Sequence, residues 1–132
     1  MYKINAFLAT HALGEKGTHP LPYLECETGQ FYNGWYIYDV RYLSDLGEDN
    51  NLALYRLTIN DIINILNHDY YRVVICCGAG QSRSNAIALG VLVHGGDNYY
   101  DSLELIKSKV PICHIDPSQL AAIRKLFNVG PP

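Results

Sequence analysis

The chain has 132 residues, 48% of them hydrophobic, with a formal charge of −3 and no break in composition, which suits one compact domain over 1–132. Ten lysines and arginines, scattered rather than clustered, argue against a nucleic-acid footprint, and no apolar run approaches the length of a membrane span. Four cysteines, two of them adjacent, do not resemble a disulfide framework, so the expected setting is soluble, unsecreted and cytoplasmic.

In chain order, Tyr2 to Leu8 alternates enough for a first strand. Residues 10–34, rich in glycine, proline and histidine, read as a connection of unassigned fold. Trp35 to Leu43 is strand-like. Asn50 or Asn51 caps a helix to about Leu66, with Leu52, Tyr55, Ile59, Ile62, Ile63 and Leu66 on one face to cover the sheet. Val73, Val74 and Ile75 form the β-branched run of a strand buried on both faces, and Ser84 to Val93 a largely buried helix. A further helix covers about Tyr99 to Ser108, before Pro111. Asp116-Pro117-Ser118-Gln119 is a capping box that opens the last helix, to Phe127. Strands separated by helical segments imply an α/β fold, a small and mainly parallel central sheet flanked by helices.

The stretch between the buried strand and the helix carries the chemistry. Gly78 and Gly80 can take positive φ and lack a Cβ, so successive backbone N–H groups of Gly78, Ala79, Gly80, Gln81 and Ser82 can converge on one point, where the helix dipole adds positive potential. A dianion fits that point. Arg83 closes the ring with a planar fork that matches two phosphate oxygens, and the same field favours a thiolate at Cys77, six positions before the arginine.

Cys77-x2-Gly80-x2-Arg83-Ser84 resembles the signature loop of the cysteine-dependent protein phosphatases, specifically the dual-specificity group. The resemblance covers about Tyr36 to Phe127. It implies that Cys77 attacks phosphorus, Arg83 holds the transferring group, and Ser84 assists the thiolate to leave in the second step. Family members carry a catalytic aspartate about thirty residues upstream of the cysteine; Asp45, 32 positions before Cys77, fits that spacing without a gap, and Asp49, at 28, is its rival.

The chain departs from the family at Cys76, where histidine is usual; counting from Cys76 to Arg83 gives one residue too many, so Cys77 alone is in register. Ser84 also suits a helix cap. Cys76 and Cys113 read as core residues, and His11, His19, His68, His94 and His114 share no ligand spacing. Neither metal nor other cofactor is expected, because loop dipoles and Arg83 supply the charge. The expected substrates are phosphoproteins, since Gly78, Ala79, Gln81 and Ser82 are uncharged. A lipid or RNA 5′ phosphate and a catalytically inactive phosphate-binding module are the alternatives.

Overall fold

Strand alternation sets the layers of the molecule. The computed structural model describes residues 1–13, 28–69 and 71–132, so the larger part of the connection expected over 10–34 lies outside the described residues. Among them the chain forms β1 (Tyr2–Lys3), β2 (Leu8–Ala12), β3 (Phe31–Tyr32), β4 (Trp35–Asp39) and β5 (Arg72–Cys77), in the sheet order β1-β2-β5-β4-β3. The helices are α1 (Leu52–Asp69), α2 (Arg83–His94), α3 (Tyr99–Lys109) and α4 (Pro117–Leu126), with a 3-10 turn over Gly47–Asp49.

Only the centre of the sheet is parallel. β2 and β4 both run parallel to β5, whereas β1 and β3 pair antiparallel at the two edges, so the sheet is mixed rather than mainly parallel. The turn chemistry explains both edges. Asn5 Oδ1 accepts hydrogen bonds from Phe7 N and Leu8 N at 2.8 and 2.9 Å, a local turn that breaks the expected Tyr2–Leu8 strand into a hairpin. Asn33 and Gly34, at φ of 51° and 83°, supply the left-handed pair that joins β3 to β4.

Period-2 alternation assigns each residue to a face. Leu8, Tyr38, Val40, Val73, Ile75 and Cys77 join the main core with Tyr55, Ile59 and Ile62 of α1, Ile87 of α2, Ile106 of α3 and Ile123 of α4. Each large aliphatic side chain fully buried there contributes roughly 1.5–3 kcal/mol. Ala9, Leu13, Trp35, Ile37, Val74 and Cys76 form a second, smaller cluster on the opposite face. Among the described residues no helix contributes to it, so the described helices α1 to α4 pack on the other face of the sheet. No helix among them is long and apolar enough to cross a membrane.

His11 lies opposite Cys76 in the register of β2 and β5, and its Nε2 is buried with no hydrogen-bond partner among the described residues. Burial first, and the positive amino terminus second, push the imidazole down to about 4. An unfolded histidine titrates near about 6.5. Between those values the unfolded chain binds a proton that the folded chain refuses, so this contribution to stability is complete above about 6.5 and falls as pH drops towards 4. The urea midpoint is expected to decline through that window, and His11→Gln to flatten the decline. A slope unaffected by the substitution would contradict the assignment.

Candidate active site

Topology brings two loops together. β4 and β5 are parallel neighbours, so the segment after Asp39 and the loop after Cys77 leave the same carboxyl edge of the sheet, where ligands of open α/β sheets gather. Val40 N donates to Cys76 O and Leu13 N to Cys77 O, both at 2.8 Å, which carries the pairing to the rim. Alternation turns the two adjacent cysteines to opposite faces. Cys76 points into the smaller cluster with its Sγ 3.7 Å from Val74 O. Cys77 points towards the helices, only 2% exposed, with its Sγ 3.2 Å from Ser84 Oγ. Cys77 lines a cavity of about 260 Å³ together with Asp45, Leu46, Ala79, Gln81, Ser82, Arg83, His114 and Asp116.

The loop main chain is held by its carbonyls. Cys77 O accepts from Leu13 N, and Gly80 O and Gln81 O both accept from Asn85 Nδ2 at 3.0 Å. Gln81 O also accepts from His114 N, and Ser82 O from Ala86 N. By contrast, no group among the described residues accepts from the main-chain N–H of Gly78, Ala79, Gly80, Gln81 or Ser82. Tied carbonyls with amides left over are an arrangement that suits an anion. The N-terminus of α2 adds to it: Ser82 occupies the cap position without capping, because its Oγ accepts from Asp116 N at 2.9 Å instead. Ser84 lies inside the helix and is not its cap. The first N–H groups of α2 and its dipole therefore act on the cavity.

Of the two loop glycines only Gly80 takes positive φ, at 71°. A Cβ there would come within 2.8 Å of Ala12 Cβ and 3.0 Å of Ala12 Cα and N. The loop thus packs directly on the end of β2.

Arg83 is anchored on one side of its guanidinium. Nη1 donates to Arg41 O and Leu43 O, each at 3.1 Å, and the side chain is 11% exposed. Those two carbonyls sit in the segment after β4, whose start is pinned by the Arg41 guanidinium on the Asp39 carboxylate at 2.8 to 3.0 Å. Nε lies 2.7 Å from Asp45 Oδ1 without the alignment of a hydrogen bond. Since the Asp45 side chain is 73% exposed, this is a surface-type pair worth about 0–1 kcal/mol. The rival Asp49 does not line the cavity, and its Oδ2 is 3.5 Å from Ser44 Oγ.

Four polar residues around the loop were not singled out as site residues from the sequence. Asn85, fully buried, holds two loop carbonyls; its signal was an amide in an otherwise apolar helix. His114 and Asp116 reach the rim from the segment before α4. Asp116 caps α4 as expected, accepting from Ser118 N. The Ser118 hydroxyl, then the Ser118 N–H and the charge of His114, hold the Asp116 carboxyl below the usual carboxylate range. Gln119 does not complete the capping box: its amide turns away to Ser44 O and Asp45 O.

No protein-family model matches the sequence, and no curated protein matches it either. Solved structures do match. A tyrosine-to-histidine variant of human DUSP28 superposes with a TM-score of 0.70 at 16% identity, over 96% of this chain and 93% of that one. The chain has the fold of the dual-specificity phosphatases. Human DUSP28 itself aligns at 20% identity and a TM-score of 0.59, over 65% of this chain but only 60% of that chain's length. PTPMT1, crystallised with PI(5)P, aligns at 19% identity and a TM-score of 0.55, over 65% and 55%. At such identities the likeness is one of fold, and the bound PI(5)P belongs to PTPMT1.

The packing of Gly80 on Ala12 gives a test of the loop. Gly80→Ala forces a left-handed backbone on a side chain and crowds main-chain atoms, so it is expected to cost about 1–3 kcal/mol in urea unfolding. Calorimetry should also show inorganic phosphate binding at least about tenfold weaker. Unchanged stability and affinity together would mean that the loop geometry described above is not the one in solution.

Proposed function

We propose that the protein is a cytoplasmic cysteine-dependent phosphatase. It hydrolyses phosphate monoesters on phosphoproteins, at phosphotyrosine and at phosphoserine or phosphothreonine, through a phosphocysteine intermediate. The observation that carries the reading is that Cys77, Arg83 and Asp45 line one cavity with Ala79, Gln81 and Ser82 of the loop, whose amides meet no acceptor among the described residues.

In the first half-reaction the Cys77 thiolate forms an S–P bond as the P–O bond to the leaving group breaks. The loop amides and the Nε side of Arg83 hold the equatorial oxygens, where charge accumulates. Asp45, displaced from Arg83 by the phosphate, gives its proton to the departing oxygen. In the second, water attacks phosphorus, Asp45 takes the proton from that water, and the S–P bond breaks to return phosphate and thiolate. Ser84 Oγ, 3.2 Å from the sulfur, donates a hydrogen bond to the thiolate as it leaves.

Among the described residues the cavity of about 260 Å³ is lined by Leu46 and by no aromatic side chain, which supports a site open to short as well as long phosphorylated side chains. The uncharged loop side chains support phosphoprotein over polyanionic substrates. A reducing compartment keeps the sulfur available.

The decisive assay is hydrolysis of p-nitrophenyl phosphate in the presence of chelator. Cys77→Ser should lower turnover at least about a thousandfold, and persistent activity removes the assignment. Asp45→Asn should cost about 10²–10⁴-fold on phenyl phosphate, whose leaving group needs a proton, and much less on the activated nitrophenyl ester. Asp49→Asn should change neither by more than about threefold. Faster hydrolysis of a phosphoinositide than of any phosphopeptide in the same preparation would move the substrate class to lipids.

A further inference from the structure

We infer that the first turn of α4, through Gln119 and Ser118, positions the general acid, fixing the main chain that carries Asp45 at the cavity rim. The inference rests on the phosphatase reading above. It adds two residues that touch neither the sulfur nor the phosphate.

The Asp45 side chain is largely exposed and, among the described residues, its carboxylate pairs with Arg83 alone, so its placement depends on its backbone. Gln119 supplies the support. It is fully buried, and its Nε2 donates to Ser44 O at 2.8 Å and to Asp45 O at 3.0 Å. Carbonyls only accept, so the NH₂ end of the amide must face them. Tyr55 O–H donates to Gln119 Oε1 and locks that orientation. Asn50 Nδ2 in turn donates to the Tyr55 oxygen at 3.1 Å, and Asn50 grips Ser44 twice, accepting from its N and donating to its O at 2.9 Å.

The other side of Asp45 is held by the same helix turn. Gly47 N donates to Ser118 Oγ at 2.6 Å. The approach is so close that a Cβ on Gly47 would fall 2.3 Å from Ser118 O. Ser118 Oγ donates onward to Asp116 Oδ1, and Asp116 N donates to Ser82 Oγ at 2.9 Å in the phosphate loop. One rigid element therefore registers the acid loop and the amide nest against each other. None of these bonds uses the Asp45 carboxylate, which stays free to move a proton.

A merely structural role and a positioning role differ in what they do to the leaving-group dependence. Gln119→Met keeps the chain length and removes both N–H donors. Ser118→Ala frees Gly47 N and keeps the Ser118 N–H that α4 uses for its cap; it serves as the second variant should the first fail to fold. Both are compared with the unsubstituted chain on p-nitrophenyl and phenyl phosphate, each with Asp45 and with Asp45→Asn. Either substitution should lower kcat/KM on phenyl phosphate at least about tenfold more than on the nitrophenyl ester, because a small displacement of an acid is costly only where the acid is needed. With Asp45→Asn, neither should lower the phenyl phosphate rate further. Equal losses on both esters, or additive losses with Asp45→Asn, overturn the inference. Should Asp45→Asn itself leave the ratio of the two esters unchanged, the acid assignment fails instead, and the two failures are thereby told apart.

Discussion

Four outward-tied carbonyls between Cys77 and Ser82 are the constraint on which the rest of the structure depends. A peptide unit whose C=O is fixed in one direction sends its N–H roughly the other way, so tying these carbonyls to Leu13, Asn85, His114 and Ala86 sets the directions of the N–H groups of residues 78, 81, 82 and 83. The close seat of Gly80 on Ala12 and the uncapped start of α2 follow from the same arrangement. A side chain capping α2 would occupy some of its first N–H groups. Ser82 instead spends its hydroxyl on Asp116.

The electrostatics are local. With a net charge of −3, the positive potential at this cavity comes from the start of α2 and the Arg83 guanidinium. Arg83 also joins the two loops, because the carbonyls that orient it belong to the segment leading to Asp45. Asp45, Arg83 and the loop after Cys77 are thereby placed relative to one another by bonds to main-chain carbonyls, which tolerate side-chain variation better than side-chain pairs would.

Much of this was legible in the residues. The β-branched run of β5, the helix caps at Asn51 and Asp116, and the stripe on α1 each follow from a local preference that tertiary packing did not override. The separation of Cys76 from Cys77 follows from parity alone: one strand residue apart means opposite faces. What was not legible depended on contacts distant in sequence. The β2 strand ran on into a stretch read as a connection, because Leu8–Ala12 shows its character only when paired with β5. The Tyr2–Leu8 segment alternates well enough, yet the Asn5 side chain competes for the backbone and folds it over. Gln119 satisfies the spacing of a capping box, but two carbonyls 74 and 75 positions away are better partners for a buried amide than its own cap.

The central claim is that a tetrahedral anion sits inside the ring of amides directly over the Cys77 sulfur. A crystal structure with bound tungstate tests it most directly. The ion is expected within hydrogen-bond distance of the amides of residues 78–82 and of Arg83, in line with Cys77 Sγ, with Asp45 moved off the arginine. Tungstate bound elsewhere, or a loop whose amides face protein acceptors with the sulfur turned from the ion, would contradict it.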